Sequence, residues 1–407
     1  MNKQKIINDP VYGFLTIPYG IVFDVLEHPY FQRLRRICQL GLTYYVYPGA
    51  HHTRFHHALG AMHLMAQAID VLRSKDVDIT EEEAQAVCLA ILLHDIGHGP
   101  FSHVLEHTLV NVHHESLSVL FMEELNEQFD GKLSMAIEIF TNRYPKRFLH
   151  QLISGQLDMD RMDYLNRDSF FTGVSEGVIG YDRIIKMLSV ADGELVVEEK
   201  GVYSIEKFLI ARRLMYWQVY LHKTVLSAEQ MLIRALQRAK QLSKEGVELK
   251  VSGALSHFLQ HELDENRFRK ERSRLLTYFA ALDDFDIIMA LKSFTEEKDF
   301  ILSYLSKCLI NRRLFKIELS NDCIDRDHAK KMRLIIGKQL NHLSDHDIAK
   351  YLVFEGKESN SAYSTRKDEI KILYKNGQVR PMSSISDHGI QPRIITKHYL
   401  CYPKLND

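Results

Sequence analysis

The sequence has few of the residues that mark secreted, disulfide-linked or membrane-spanning proteins. Its 407 residues include five cysteines, and no two of them form a Cys-x-x-Cys pair. This argues against a disulfide framework and a zinc ribbon, and it fits a reducing cytosol. Met1 is followed by polar residues, not by the apolar segment of a signal peptide, and no apolar run approaches the roughly 18 residues of a membrane helix. We therefore expect a cytoplasmic protein that does not enter a membrane.

An excess of charge is also absent. The chain has 52 lysines and arginines against 53 aspartates and glutamates, so its formal net charge is −1. A global basic field for nucleic acid is missing, although a local basic groove is compatible with this balance. The sequence also lacks a P-loop, a dinucleotide-binding glycine fingerprint, an HExxH pair and a Gly-x-Ser-x-Gly elbow. The absence of these motifs argues against several large classes of nucleotide-binding enzymes and hydrolases.

What the sequence does contain is histidine, concentrated in one part of the chain. Eleven of the 21 histidines lie between His51 and His114. In this part an apolar run that ends at Leu93 is followed at once by His94 and Asp95, and then by glycines and further histidines. A buried helix that ends in imidazole and carboxylate groups presents metal ligands to a cavity. The sequence therefore predicts a metal site around this His-Asp pair.

Two other helices are expected to complete the site. Apolar residues at helical spacing predict a helix over about 54–73, with His57 in its first turn. Residues 151–168 predict a second helix with acidic residues along one face, which taken alone is also compatible with a solvated surface. Two imidazoles and two carboxylates suit Mn, Fe, Ni, Co or Zn, and Mg less naturally. Such an ion would lower the pKa of water and neutralise a phosphoryl oxygen.

The rest of the chain is predicted to be mainly helical, with strands near its end. Thr80 and Glu83 form a capping box that opens the helix leading to Leu93. Alternating residues at 314–319 and 368–374 favour strands. The other predicted elements are a hairpin over 6–17, helices over 20–41, 114–129 and 132–143, a hairpin over 195–203, and one long helix from Ser204 to about Glu245.

Six short motifs follow one another in a fixed order over residues 24–225. They are Phe31-Gln32-Arg33-Leu34-Arg35, Gln39-Leu40-Gly41, Arg54-Phe55-His56-His57, the run from His94 to His103, Asp158-Met159-Asp160-Arg161-Met162-Asp163-Tyr164, and Tyr220-Leu221-His222-Lys223. This series resembles the HD-domain metal-dependent phosphohydrolases. The closer resemblance is to deoxynucleoside triphosphate triphosphohydrolases, which include bacterial dGTPase-like enzymes and the vertebrate SAM-and-HD-domain dNTPase. Beyond about residue 314 the resemblance is faint.

The resemblance implies a role for each matching residue. The implied reaction is attack of water on the α-phosphorus of a dNTP, with release of deoxynucleoside and inorganic triphosphate. Glu106, three residues after His103, is close enough on a helix to support it. The implied metal ligands are His57, His94, Asp95 and Asp160; the implied catalytic residues are His98, His103, Glu106 and His114. The implied substrate-binding residues are Arg54, Arg161, Tyr164 and Arg212 for the triphosphate, Gln39, Leu40 and Asp168 for the sugar, and Tyr220 for the base.

The resemblance also implies regulation and assembly. The vertebrate enzyme has effector-nucleotide sites at its subunit interfaces, and five residues of this chain fall at or near the corresponding positions: Glu27, Gln32, Arg35, His222 and Lys223. Glu27 replaces an Asp that reads guanine in that enzyme, and Arg161 replaces a phosphate-binding Lys. Activation by a dNTP or GTP is therefore a hypothesis, as is a homo-oligomer of the tetramer type. Mg²⁺ is a further candidate as the companion of the nucleotide.

These observations predict a mainly α fold. Residues 1–313 are expected to form an HD-type helical bundle, and residues 314–407 a small α+β region with a function in oligomerisation or regulation. Two alternatives stay open. One is another HD phosphohydrolase, such as a nucleotidase or a cyclic-nucleotide phosphodiesterase, because those enzymes need only the metal site. The other is a nucleotide-sensing or nucleic-acid-binding protein, against which the complete set of metal ligands and the near-zero net charge argue.

Overall fold

The structure is a computed structural model that describes residues 4–101, 103–106, 108–340, 343–361, 369–385 and 394–404. The side chains of His103, Asn360 and Ser361 lie outside this description. Helices make up most of the described chain, which confirms the prediction of a mainly α fold with small sheets. No described helix combines the length and the apolar character that a membrane crossing requires.

The described helices are distributed over the whole chain. They are α1 Ile21–Glu27, α2 Pro29–Gln32, α3 Arg54–Arg73, α4 Glu81–Leu93, α5 His103–Glu106, α6 His114–Gln128, α7 Ser134–Phe140, α8 Arg147–Gln151, α9 Met159–Thr172, α10 Tyr181–Lys186, α11 Val202–Met215, α12 Lys223–Lys244, α13 Gly253–Gln260, α14 Glu265–Lys270, α15 Arg272–Ala280, α16 Asp284–Phe294, α17 Phe300–Ile310, α18 Arg326–Gln339 and α19 Asp345–Asp347.

The described strands form three small sheets. An N-terminal antiparallel hairpin joins β1 Gln4–Asp9 to β2 Gly13–Pro18. A second sheet has the order β3 Leu188–Ala191, β4 Glu194–Glu198, β7 Lys371–Leu373 and β8 Val379–Pro381. The third has the order β5 Lys316–Ser320, β9 Ile394–Tyr402 and β6 Phe354–Ser361. In the second sheet β4 pairs with β7 in parallel. β4 precedes residue 313 and β7 follows it, so this sheet combines strands from both sides of that residue. The division into 1–313 and 314–407 stays a prediction.

Three helices at the centre of the core carry the predicted metal ligands. α3 packs against both α4 and α9. α4 begins as predicted, because the Thr80 side chain accepts a hydrogen bond from Glu83 N and Glu83 Oε2 accepts one from Thr80 N. It then buries an uninterrupted apolar run through Leu93. The Asp158 carboxylate caps α9 by accepting from Arg161 N at 2.7 Å.

Several predicted elements are confirmed and four are wrong in part. The helix predicted over 151–168 begins only at Met159, after the Asp158 cap, and continues to Thr172. The helices over 54–73, 114–129 and 132–143 and the N-terminal hairpin occur close to their predicted bounds. The predicted helical segment over 20–41 is divided at Pro29, because proline removes an amide donor. Its last turn ends at Arg36, since the backbone is extended at Ile37. The hairpin predicted over 195–203 lies earlier, with its turn at 192–193. The long helix from Ser204 is interrupted: a π-helical turn over 216–220 leads to His222, whose side chain caps α12.

Candidate metal centre and active site

Three of the predicted metal ligands converge at the junction of α3, α4 and α9. The Nε2 atoms of His57 and His94 lie 3.3 Å apart. Asp160 Oδ1 lies 3.1 Å from Nε2 of His57 and 3.5 Å from Nε2 of His94. Among the described residues, these three side chains form a group whose ligand atoms all lie within 4.8 Å of one another. The arrangement could therefore hold one metal ion.

The second nitrogen of each imidazole supports this interpretation. Nδ1 of His57 lies 2.7 Å from the Asp163 carboxylate, and Nδ1 of His94 lies 2.6 Å from the carbonyl oxygen of Ile91. A carbonyl oxygen only accepts, so His94 carries its proton on Nδ1, and Asp163 favours the same tautomer at His57. The two Nε2 lone pairs then face each other, which is unfavourable unless a cation lies between them. The donor set fits a divalent metal.

Asp95, the fourth predicted ligand, lies beside this group. Its carboxylate oxygens are 3.4 Å from Nε2 of His94 and 3.8 Å from Nε2 of His57. Arg54 donates a hydrogen bond to the same carboxylate. Burial raises the pKa of Asp95, but the charges of His94 and Arg54 outweigh it and hold that pKa well below its usual range. Coordination by Asp95 stays a prediction, and so does phosphate binding by Arg54.

The electrostatics of the centre favour a cation. Burial raises the pKa of Asp160, yet hydrogen bonds with His57 and His94 bring it below its ordinary value. Burial lowers the pKa of His57, but hydrogen bonds with Asp160 and Asp163 raise it to about 10. The carboxylates are thus ionised at neutral pH, and the positive charge they attract is a proton on His57 or a metal ion in its place.

The turn after His94 is held from outside by residues that the sequence analysis did not assign. Arg33 is fully buried and donates hydrogen bonds to the carbonyl oxygens of Ile96 at 2.8 Å and His98 at 2.9 Å. Ser118 Oγ accepts from Gly97 N at 3.0 Å and donates to the His94 carbonyl at 2.7 Å. The sequence included Arg33 only as part of a motif, and nothing near Ser118 indicated its contact.

A third unassigned residue, Asp284, connects two loops of the site. Asp284, at the start of α16, accepts hydrogen bonds from Cys38 N at 2.8 Å and from Phe101 N at 3.0 Å. Phe101 has a φ of +52°, which is unusual for an aromatic residue. The Cys38 loop leads directly to Gln39, and the Phe101 loop follows His98. Asp284 therefore fixes both loops; in the sequence it looked like an ordinary acidic residue at a helix start.

Two of the predicted catalytic histidines, His98 and His114, lie next to the metal centre. The rings of His98 and His114 are 3.9 Å apart and nearly perpendicular. His98 Nδ1 lies 3.9 Å from the Asp95 carboxylate. Glu106 Oε1 accepts hydrogen bonds from the backbone N of His114 at 2.6 Å and from its Nδ1 at 2.7 Å. Glu106 thus orients His114; its predicted support of His103 stays a prediction, because that side chain lies outside the description.

The residues predicted to bind the sugar and base form one connected group. Tyr164 lies on α9 one turn after Asp160, with its ring 6.5 Å from that of His57 and 6.1 Å from that of Tyr220. Tyr220 Oη donates to Asp168 Oδ2 at 2.7 Å. The other oxygen of Asp168 lies 2.7 Å from Nε2 of His52, a residue that the sequence analysis did not assign. Gln39 joins this group through its backbone, which donates to the His52 carbonyl at 2.9 Å, and Leu40 packs on the core beside it.

The predicted phosphate-binding arginines are engaged with protein groups. Arg161 donates to the Asp158 carboxylate and to the Gly155 carbonyl. Arg212 is buried on α11, and its guanidinium lies 5.9 Å from the ring of Tyr216. An anion that binds here would share or replace these interactions, as Arg forks readily bind phosphate.

The effector candidates fall in two parts of the chain. Gln32 accepts a hydrogen bond from Arg35 Nε at 2.8 Å, and the Arg35 guanidinium lies over the ring of Phe55. Glu27 is exposed at the end of α1. His222 caps α12 by accepting from Thr224 N, and the adjacent Lys223 is exposed. These contacts are compatible with ordinary structural roles, so effector binding stays a prediction.

An open cleft of about 730 Å³ leads to the metal centre. His94, Asp95 and Asp160 line its inner end together with His114. Farther out it is lined by polar side chains from α6 to α8 and the loops between them, including Arg143 and His150. The metal ligands are therefore accessible to solutes although the imidazoles are buried.

Comparison with known proteins agrees with this geometry. Residues 54–168 match the family model of the HD domain, and residues 179–252 match that of the HD associated region. An uncharacterized protein of Bacillus subtilis, YwfO, is 32% identical over an alignment of 419 positions. This alignment covers 99% of this chain and 93% of that protein. The human deoxynucleoside triphosphate triphosphohydrolase SAMHD1 is 30% identical over 284 residues, which cover 59% of this chain and 45% of that protein.

A solved structure matches over nearly the whole length. The crystal structure of a phosphohydrolase from Bacteroides thetaiotaomicron has a TM-score of 0.94 and 52% sequence identity. The match covers 99% of this chain and 100% of that chain. A hypothetical protein from Aquifex aeolicus has a TM-score of 0.72 at 27% identity.

Proposed function

The chain belongs to the HD-domain phosphohydrolases, and from this premise we propose that it hydrolyses deoxynucleoside triphosphates to deoxynucleoside and inorganic triphosphate. One observation carries the proposal: a single helix, α9, presents a metal ligand and three nucleotide-binding candidates. Asp160 faces the two imidazoles, and Tyr164 and Asp168 follow it at intervals of four residues. Arg161 lies beside them and is a quarter exposed. A phosphohydrolase that needed only the metal would not require this arrangement.

His57, His94 and Asp160, with Asp95 as the predicted fourth ligand, would hold one divalent metal. Such a metal supplies Lewis acidity, which lowers the pKa of water and neutralises phosphoryl oxygens. The chain itself keeps the Nε2 lone pairs of His57 and His94 directed at the metal site. It does so because the Nδ1 atoms of these residues are hydrogen-bonded to Asp163 and to the Ile91 carbonyl, respectively. Mn, Fe, Ni, Co, Zn and Mg all stay candidates for the ion.

The charged side chains suit a triphosphate. The substrate carries about four negative charges at neutral pH, and phosphate is bound best by planar guanidinium groups. Arg161 and Arg212 supply two such groups beside Tyr164, and Arg54, which donates to the Asp95 carboxylate, supplies a third. Next to the metal ligands, His114 is oriented by Glu106 and contacts His98. We assign these histidines, together with His103, to proton transfer toward the departing 5′-oxygen.

Selectivity for the deoxyribose follows from the group around Asp168. In the proposal Asp168 and Gln39 bind the 3′-hydroxyl, Leu40 packs against the sugar, and Tyr220 lies by the base. Tyr220 already donates a hydrogen bond to the Asp168 carboxylate. In the proposal a sugar hydroxyl replaces Tyr220 as the donor to this carboxylate. A ribose 2′-hydroxyl packed against apolar groups would be left unpaired, which disfavours ribonucleotides.

Regulation and assembly extend the proposal. We infer a nucleotide effector site that uses Glu27, Gln32, Arg35, His222 and Lys223, and a homo-oligomer in which residues 314–407 contribute to assembly or regulation. If millimolar GTP or dGTP changes the turnover of no other dNTP in any pairing, the effector site is refuted.

The decisive experiment is product analysis. The metal-loaded protein is incubated with each dNTP and each NTP, and the products are separated by anion exchange. Deoxynucleoside plus triphosphate, lost in Asp160→Ala, is the expected result. Equal cleavage of NTPs would contradict the sugar assignment. Turnover of monophosphates or cyclic nucleotides without any dNTP cleavage would identify a nucleotidase or phosphodiesterase instead, and nucleotide binding without turnover a sensor.

A further inference from the structure

A continuous series of buried charges runs from the metal centre to the N-terminal hairpin. The Asp163 carboxylate, which accepts from His57 Nδ1, also accepts from Arg167 Nε and Nη2, each at 2.9 Å. Arg167 Nη1 donates to Asp9 Oδ2 at 2.7 Å. The Asp163 and Arg167 side chains are fully buried, and that of Asp9 is 2% exposed. The four groups therefore interact without screening by water.

Asp9 uses its two carboxylate oxygens for different purposes. Oδ1 accepts from Val11 N at 2.9 Å and Tyr12 N at 3.0 Å, and so shapes the turn between β1 and β2. Oδ2 faces Arg167, whose guanidinium also lies 5.4 Å from the centre of the Tyr12 ring. The hairpin is thus attached to the core through the same carboxylate that fixes its turn.

Gly60 makes room for the ion pair. It lies in the middle of α3, one turn after His57, where α3 crosses α9. A Cβ atom built at Gly60 would lie well inside 3.0 Å of both Asp163 Oδ1 and Arg167 Nη2. Glycine weakens the interior of a helix, so its presence here is explained by the space that the buried charges require.

We propose that the N-terminal hairpin is a positioning element of the metal centre. Asp9 orients Arg167, Arg167 orients Asp163, and Asp163 holds the His57 ring with its Nε2 directed at the metal. Metal binding and docking of the hairpin therefore stabilise each other, since a coupling between two events is reciprocal. The inference rests on the metal-binding part of the proposed function and is independent of the nucleotide.

The first test measures metal affinity in Asp9→Asn. Asparagine can still accept from Val11 N and Tyr12 N, but it lacks the charge that faces Arg167. Titration with Mn²⁺ is expected to give a Kd about tenfold weaker than in the wild type, in line with losses of outer partners of metal ligands. The matched control is Asp24→Asn, an exposed residue of α1. Arg167→Lys, which keeps the charge and loses the fork, is expected to weaken binding as well.

The second test compares the wild type with and without metal, and then repeats the comparison in Asp9→Asn. Hydrogen exchange of peptides that cover residues 4–18 is followed by mass spectrometry with and without Mn²⁺. Added metal is expected to slow exchange in this hairpin and to leave the β3–β4 hairpin at 188–198 unchanged. In Asp9→Asn the effect of metal on residues 4–18 should disappear.

The outcomes separate the two levels of the argument. If the wild type binds no divalent ion, the metal centre is refuted and this inference with it. If metal binds, but with equal affinity in wild type and Asp9→Asn and without any change of exchange at residues 4–18, the hairpin has no positioning role and only the inference fails.

Discussion

The two halves of the candidate site are built differently. In the metal-binding half, each imidazole is oriented by a partner on its far side, so that its inward nitrogen stays available. In the nucleotide-binding half, the inward groups satisfy one another: Tyr220 donates to Asp168, and Arg161 to Asp158. The metal-binding half is thus arranged before its ligand arrives, whereas the proposed nucleotide-binding half would exchange internal hydrogen bonds for those of a substrate.

This difference has a physical reason. A divalent metal accepts only a narrow range of ligand distances, and the protein can satisfy it only with side chains held in advance. A nucleotide is large and flexible and brings many hydrogen-bonding groups of its own. Temporary internal bonds keep buried arginines and carboxylates satisfied until it binds, which avoids unpaired buried charges. Substitutions in the two halves should therefore have separable effects on metal content and on substrate affinity.

The largest effect is expected at Asp160. Asp160→Asn removes the only described ligand oxygen grouped with the two imidazoles, so metal content should fall and turnover should drop by about a thousandfold or more. Metal analysis and product analysis on the same sample measure both. Asp182→Asn, an exposed aspartate in the first turn of α10, is the matched control. Full activity of Asp160→Asn would contradict the metal assignment.

Arg212 should separate the two halves. Arg212→Ala removes the proposed charge-assisted contact to phosphate. Such a contact is worth about 1.5–3 kcal/mol, or roughly 10- to 150-fold in kcat/KM. Metal content should not change. The neighbouring Arg213 is exposed on the same helix, and Arg213→Ala should leave both quantities unchanged. A loss of metal in Arg212→Ala would mean that the halves are not independent.

A substitution at Gly60 tests the metal-binding half without changing a metal ligand. In Gly60→Ala the added methyl group collides with Asp163 and Arg167, which should lower the free energy of unfolding by about 1–3 kcal/mol and weaken metal binding. Thermal unfolding and metal titration measure the two effects. Gly253→Ala is the control, because nothing lies within 4 Å of a Cβ at that helix start. If Gly60→Ala behaves like Gly253→Ala, the α3–α9 crossing is looser than described.

The effect expected at Asp284, which joins the loops of the two halves, is confined to the pH dependence of stability. Burial raises its pKa from 3.8 to about 6, against the lowering effect of hydrogen bonds from Cys38 and Phe101. Between these values the native state holds a proton that the unfolded state has lost, so this group makes stability fall as pH rises from about 4 to 6.

Asp284→Asn removes that titration. The difference in unfolding free energy between wild type and variant should therefore shrink by about 1–3 kcal/mol as the pH rises from about 4 through 6, and it should level off about one pH unit above the native pKa. Denaturant unfolding at several pH values measures it. A difference that grows with pH would show that the carboxylate is stabilised as an anion instead.

Much of the helical framework could be predicted because its signals are local. The 3.6-residue periodicity gave α3 its bounds, and the Thr80 capping box marked the start of α4. The break at 216–222 was missed, because its residues have no proline or glycine and remain helical in pattern. What divides α11 from α12 is the packing of Tyr216 and Tyr220 around Tyr164 and Arg212, which no local pattern contains.

The sequence by itself determined the order and chemistry of the candidate ligands, because the types and spacing of histidines and carboxylates can be recognised in the sequence alone. Only the tertiary structure decided which other residues orient these ligands and the loops around them. Arg167 contacts Asp9 across 158 positions of the chain, and Asp284 contacts Cys38 across 246. Such contacts form because a buried charge or amide must find a partner wherever the folded chain supplies one, and that requirement leaves no periodic trace in the sequence.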